Sequence, residues 1–409
     1  MGLLVLKFGG TSVANISAIE NVADKVAAEV KGGHKVAVVV SAMAGATNQL
    51  VAYCSEISQI YDAREYDTVV SSGEQVTSGL LALALQKRGI PARSWMGWQV
   101  PIMTDAVHGK ARIQSIELNP IREGLKKGEV AVIAGFQGVT SEGRISTLGR
   151  GGSDTSAVAV AVALRADRCD IYTDVRGVYT ADPRIVKRAR RIDKISYEEM
   201  LEMASVGAKV LQTRCVELAM KEKIPVQVLS SFEGALGSDL TGTLVVDEEF
   251  IMEQEVVSSI THSRDEAKVT LRNLPDVPGM AAKVFGPLAD AAINVDMIVQ
   301  NLSPDHKKTD LTFTVPRADL LKTLEVLKAR LPGTQIESSA DVSKISVVGI
   351  GMRSYAGIAQ KMFLTLAEKG INIQVITTSE IKVSVLISDE YTELAVRSLH
   401  TAYGLDHKG

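Results

Sequence analysis

The sequence is 409 residues long, 46% hydrophobic, and carries a formal net charge of −3. That length allows two or more cores, and the charge argues against a nucleic-acid surface, which leaves small ligands as the better class of partner. No apolar run approaches the ~20 residues of a membrane helix, and Lys7 interrupts the apolar opening MGLLVLKFGG too early for a secretory signal, so a cytoplasmic location is expected.

Along residues 1–230, short β-branched runs alternate with Ala/Leu-rich segments of helix length. LLVLKF, KVAVVVS, EVAVIAGF, CDIYTD and IPVQVL read as strands of an open, largely parallel sheet covered by helices on both faces, an α/β fold. Ligands of such sheets collect at the carboxyl ends of strands. The polar clusters fall there: KFGGTS after the first strand, SAMAGATN after the second, TDVRGVYTADPR after CDIY. Cys54, Cys169 and Cys215 lack metal-ligand spacing, which predicts buried thiols and no metal site.

Lys7 ends the first strand, and Gly9 and Gly10 let backbone N–H groups approach an anion before a helix begins. The plainer alternative is an ordinary strand-to-helix turn. In SSGEQVT, Glu74 suits an ammonium group or, alternatively, is a solvated helix-entry glutamate. STLGRGGSDTSAVAVAVAL, residues 146–164, brings the N–H groups of Gly151, Gly152 and Ser153 to a helix entrance. Beside them Arg150 offers a planar fork suited to a carboxylate.

After Ser231 the composition changes, and SFEGALGSDLTGTLVVDEEF reads as a domain boundary. The remainder repeats itself. Residues 284–298 and 362–376 match Phe285 with Phe363, Leu288 with Leu366, Ala289 with Ala367, Ile293 with Ile371 and Asn294 with Asn372 at a constant offset; upstream, Gly279 pairs with Gly357. Two copies of a strand-loop-helix-strand unit predict paired ligand-binding modules. GIGMRS lacks the third glycine of a dinucleotide fingerprint and aligns with NLPDVPG as a loop of the repeat. With no GxxxxGK[ST] either, any nucleotide is held without a P-loop.

A cation for a phosphate, an arginine for a carboxylate and a glutamate for an amine describe an amino acid being phosphorylated. KFGGTS, SAMAGATN, GFQGVTSEGRISTLGRGGSDTSA, TDVRGVYTADPR and SYEEMLEMASVGAKVL, in this order and followed by paired modules, closely resemble the aspartate kinase family over essentially the whole chain. The resemblance implies an amino-acid-kinase catalytic domain over 1–245 and two α+β ferredoxin-like ACT domains. The first spans 267–337, and the second combines 255–264 with 341–409, its strand starting near Glu255. With the sequence ending at Gly409, no fused homoserine dehydrogenase is expected.

The activity so implied is ATP-dependent phosphorylation of the side-chain carboxylate of L-aspartate, a first step toward lysine, threonine and methionine, with Mg2+ carried by ATP. Carried over residue by residue, Lys7, Gly9 and Gly10 contact phosphate, and Ser41, Thr47, Glu74, Arg150, Gly151, Gly152 and Ser153 surround aspartate. Thr173, Asp174, Tyr179, Asp182, Arg184 and Lys209 surround ATP. Lys7 and Lys209 supply catalytic charge, and Asp154 orients a lysine or the loop rather than accepting a proton. Arg176 departs from an acidic residue common in the family, and Gln75 from a frequent arginine. An effector, lysine and/or threonine, is expected near Asp276, Gly279, Asp296, Gln300, Asn372 and Ile373, in a homo-oligomer or an assembly made through ACT domains. Two rivals stand beside this reading. A glutamate or acetylglutamate kinase would not predict GVYTADPR with tandem ACT modules, and a catalytically inactive sensor would tolerate loss of Lys7 or Arg150, both present.

Overall fold

The computed structural model describes residues 2–207, 210–233, 242–251, 256–303, 307–355 and 357–406. They divide into two compact units: Met1–Val178, Arg191–Ala204 and Lys209–Glu253 in the first, Tyr179–Arg190, Ser205–Ala208 and Gln254–Gly409 in the second. No helix among the described residues is long and apolar enough to cross a membrane.

The first unit holds, in chain order, β1 (Leu3–Phe8), β2 (Lys35–Val40), β3 (Ala92–Trp95), β4 (Ile102–Thr104), β5 (Ile113–Ile116), β6 (Val130–Ala134), β7 (Gln137–Thr140), β8 (Ile145–Thr147), β9 (Arg168–Thr173), β10 (Lys194–Ser196), β11 (Val226–Ser230) and β12 (Thr243–Val246). Eight of them form one sheet in the order β10-β12-β11-β9-β1-β2-β6-β3, and the others a smaller sheet, β5-β4-β7-β8. In the large sheet all neighbours are parallel except β11 and β12. Continuous apolar runs such as KVAVVV suit strands covered on both faces.

Strand alternation then places the chemistry. Leu4, Leu6 and Phe8 join the core formed with Ile19, Val22 and Val26 of the helix Ile16–Lys31 and with Leu81 and Leu85 of Ser72–Lys87. Lys7 therefore faces the opposite side, where the helix Gly152–Leu164 packs on β1, β2 and β9. That helix is buried almost all round, Ala157, Val158 and Ala161 completely so. Its small side chains give no polar face, as expected of a central helix.

The second unit contains β13 (Ser259–Pro275), β14 (Asp296–Leu302), β15 (Lys308–Val315), β16 (Gln335–Val348), β17 (Val375–Thr378) and β18 (Lys382–Ser388), joined antiparallel in the order β14-β15-β13-β16-β18-β17. The sequence repeat becomes two β-α-β halves of this sheet. Gly279 and Gly357, at φ +89° and +95°, cap the equivalent helices Met280–Asp290 and Ile358–Glu368. Leu288 and Leu366 are buried completely at matching positions. β13 runs through both halves: Ile260 lies in the core with Leu366, and Ala267 and Val269 in the core with Leu288. Glu255 lies outside the described residues.

The short segment Tyr179–Arg190 also belongs to this unit. Ala181 and Val186 are part of the core around Leu366 and Leu399. The Thr180 carbonyl accepts from Ile260 N at 2.8 Å, the Thr180 hydroxyl meets His400 Nε2 at 2.8 Å, and Arg190 Nε donates to the Leu405 carbonyl at 2.9 Å.

Candidate active site

A cavity of about 330 Å³ opens at the carboxyl ends of β1 and β2. Its wall includes Lys7, Gly10, Ser41, Thr47, Glu74, Gly151, Gly152, Ser153 and Asp154, so most of the expected phosphate and amino-acid contacts share one space.

Lys7 reaches from β1 to the first turn of the helix Gly152–Leu164, where Nζ lies 2.6 Å from Asp154 Oδ1. Both side chains are only 11% exposed, which keeps the pair in one geometry while leaving the ammonium on the cavity wall. The entrance to that helix is a tight turn. Gly151 has φ +69°, and a Cβ there would stand 1.9 Å from Gln212 Cγ, so a larger residue would strain the backbone and displace Gln212. Within the first turn, Gly152 N donates to Gly149 O and Asp154 N to Gly151 O, which leaves Ser153 and the helix dipole to face an anion.

Glu74, also in the cavity wall, sits in the first turn of the helix Ser72–Lys87, 3% exposed. One carboxyl oxygen accepts from Ala42 N at 3.0 Å, and the other is buried with no partner among the described residues. Burial pushes its pKa up to about 7, partly offset by the Ala42 hydrogen bond. A half-satisfied buried carboxyl on a cavity wall is a place for a cationic group. Ser41, on the same wall, donates its N–H to the Phe8 carbonyl at 3.0 Å.

Other expected residues lie apart. Arg150 is exposed and is not in the cavity wall, and Gly9 is not in that wall either, although its N–H is 3.4 Å from the Tyr172 carbonyl. Thr173 ends β9 and donates to Asp174 at 3.2 Å. Tyr179, Asp182 and Arg184 belong to the second unit, where Arg184 Nη2 pairs with Asp182 Oδ2 at 2.8 Å. Lys209 lies outside the described residues. Arg176 is paired with Glu233 at 3.0 Å, and Gln75 is a half-buried helix residue. Cys169 and Cys215 are buried, but Cys54 is partly exposed, so the expectation of buried thiols fails there.

Sequence reading passed over Phe136, which lines the cavity at φ +68°. A bulky residue rarely takes that backbone, and only its place inside GFQG marked it. Ala42 was also missed as a separate contact, since its contribution is a backbone N–H.

In the second unit, β14 and β17 are opposite edges of the sheet yet meet through Met297, Val299 and Val375. Asp296 and Gln300 lie on β14, and Asn372 and Ile373 just precede β17, so those four are gathered near one seam. Asp296 is engaged by the buried Lys344, whose Nζ is 2.7 Å away and also 2.8 Å from Glu266. Asp276 and Gly279 stand in the loop before the helix Met280–Asp290, where Asp276 N donates to the Lys307 carbonyl.

Comparison with known proteins agrees with this architecture. The model of the amino acid kinase family matches residues 2–230, and that of the ACT domain matches 272–331 and 345–403. An aspartokinase of Pseudomonas aeruginosa is 55% identical, covering 99% of this chain and 98% of that one. One from Helicobacter pylori is 47% identical, covering 99% and 100%. Escherichia coli aspartokinase III, solved with aspartate and ADP in an R-state, superposes with a TM-score of 0.83 at 28% identity over 98% of this chain and 99% of that one. The same enzyme with lysine and aspartate in a T-state gives a TM-score of 0.77.

Proposed function

Because the chain belongs to the amino acid kinase family, and within it to the aspartokinases, we propose that it transfers the γ-phosphoryl group of ATP to the side-chain carboxylate of L-aspartate, giving 4-phospho-L-aspartate and ADP. The observation that carries this reading is the presence, in the wall of one cavity, of both the anchored Lys7 ammonium and the half-satisfied Glu74 carboxyl.

The nucleophile needs no general base, since a free aspartate side chain of pKa about 3.9 is already ionised at pH 7. The barrier lies in bringing one anion to another, so alignment and positive charge dominate. Lys7, held by Asp154, faces the transferred group. That salt bridge supports reading Asp154 as an orienting partner rather than a proton acceptor. Glu74 holds the ammonium of the substrate, Arg150 its α-carboxylate, and Ser41, Thr47 and the Gly151–Ser153 turn complete the enclosure. Gly9, Gly10, Thr173, Asp174, Tyr179, Asp182, Arg184 and Lys209 are assigned to ATP, and Mg2+ arrives with ATP as part of that substrate. The N-terminal 1–245 is the catalytic domain, with ACT domains over 267–337 and over 255–264 plus 341–409. They bind lysine and/or threonine near Asp276, Gly279, Asp296, Gln300, Asn372 and Ile373, in a homo-oligomer or an ACT-mediated assembly in the cytoplasm.

The test is ATP and Mg2+ with hydroxylamine as acyl-phosphate trap. Hydroxamate should form from aspartate and not from glutamate or acetylglutamate, and lysine or threonine should suppress it. Hydroxamate from glutamate alone would reassign the substrate.

A further inference from the structure

Asp67 lies in the helix Ala63–Val70, fully buried and outside the cavity wall. Its carboxylate meets His108 Nδ1 at 2.8 Å and accepts from Gly109 N at 3.1 Å, Thr147 N at 3.0 Å and Thr147 Oγ1 at 2.6 Å. None of these donors belongs to its own helix. Burying a carboxylate is costly unless its oxygens are satisfied, and here backbone N–H groups, whose directions are fixed, satisfy them. An apolar side chain would fill the space more cheaply but would hold no direction.

Two segments are thereby fixed together: the loop with His108 and Gly109, and the end of β8. They are also joined to each other, since Ala111 N donates to the Thr147 carbonyl at 2.9 Å. Directly after Thr147 the chain turns through Gly149 into Gly151. Gly149, at φ +77°, lies so close to the loop that a Cβ would stand 3.0 Å from the Gly109 carbonyl oxygen. The place of Gly109 thus sets the place of Gly149, and with it the turn that ends at Ser153. On its other side, the helix of Asp67 passes through Ser71 directly into the helix of Glu74, and Ser71 N donates to the Asp67 carbonyl at 3.1 Å.

We propose that Asp67 is a positioning residue of the phosphoryl-transfer site. From behind the wall, its carboxylate sets the Gly149–Ser153 turn against the helix of Glu74, and so sets affinity for the amino-acid substrate. It touches no reacting atom. The proposal rests on the assignment of Glu74, Arg150 and Ser153 to that substrate.

The test is steady-state kinetics on the full chain. Asp67→Asn turns one acceptor into a donor facing other donors, and should raise the KM for aspartate about tenfold or more while the KM for ATP stays within about twofold. Thr147→Val keeps the shape of Thr147 and removes only its hydroxyl donor; it should raise the aspartate KM by about threefold to tenfold, with Thr147→Ser restoring it. His108→Asn, which keeps a donor near Nδ1, should stay near wild type, whereas His108→Leu should not. If Asp67→Asn does not fold, the Thr147 pair decides. An unchanged aspartate KM in folded variants, a parallel rise for both substrates, or a fall in Tm alone would overturn the positioning role. Glu74→Gln and Arg150→Ala run alongside separate the two failures. If they raise the aspartate KM while the Asp67 and Thr147 variants do not, only the positioning role falls; if they too leave it unchanged, the substrate assignment falls and takes the proposal with it.

Discussion

Aspartate affinity should follow the protonation of Glu74. Burial pushes this carboxyl from 4.5 up to about 7, whereas a substrate ammonium pairs with the ionised form. Below pH 7 each unit leaves about a tenth as much carboxylate, so kcat/KM for aspartate should fall about tenfold per unit and level off near pH 8. With Glu74 assigned to the substrate ammonium, which would hold it ionised, binding should release about 0.9 proton per aspartate at pH 6 and about 0.1 at pH 8, read by titration calorimetry in buffers of different ionisation enthalpy. Glu74→Gln should flatten the profile and weaken aspartate by roughly 10- to 100-fold, the loss of a charged hydrogen bond of about 1.5–3 kcal/mol. The KM for ATP should hold. Stability of the unliganded protein should run the other way. The folded carboxyl titrates above its unfolded value, so the native chain holds more protons between pH 4.5 and about 7. Stability from this group is full below that window and falls as pH rises through it, by ~3 kcal/mol at most. Glu74→Gln should therefore be more stable than wild type at pH 8 and equal to it at pH 4. No proton release at pH 6, with wild-type and Glu74→Gln profiles superimposable, would refute the reasoning.

Lys7→Ala should lower kcat by about 3–4 kcal/mol of transition-state stabilisation with a smaller change in aspartate KM; near-normal kcat in single-turnover measurements would remove Lys7 from the mechanism. Arg150→Ala should raise the aspartate KM and spare that of ATP, with little rescue by Arg150→Lys because an ammonium lacks the bidentate fork; equal damage to both substrates would contradict the carboxylate assignment. Asp276→Ala should shift the inhibitory concentration of lysine, threonine or both upward, by up to the 1–3 kcal/mol typical of coupling, at unchanged kcat. Unchanged inhibition in every combination would move the effector elsewhere.

Much of this site was legible because it depends on local pattern. Alternation along Leu3–Phe8 sends Lys7 away from the core of Leu6 and Phe8, and the GRGG stretch demands a turn before a helix. The repeat was legible for the same reason: Gly279 and Gly357 need left-handed backbone at equivalent helix starts. What escaped depends on distant partners. Glu74 is half satisfied because Ala42 supplies one donor and no other described residue supplies a second. Asp67 reads as an ordinary helix residue until Thr147 folds onto it. Gly151 shows a turn in sequence, but it is Gln212, from a remote helix entrance, that a larger residue there would have to displace.

The path of Tyr179–Arg190 bears on how such proteins can be recombined. A regulatory half exchanged as one contiguous cassette, cut anywhere after residue 250, would arrive without its own Ala181 and Val186, and its core around Leu366 and Leu399 would have to pack against the other parent's residues at those two positions. The Thr180–His400 contact would likewise have to form between residues of two parents. Successful chimeras should therefore carry two crossover windows, one flanking residues 179–190 and one before β13. Homologous recombination within the family should be tolerated most readily where both come from one parent.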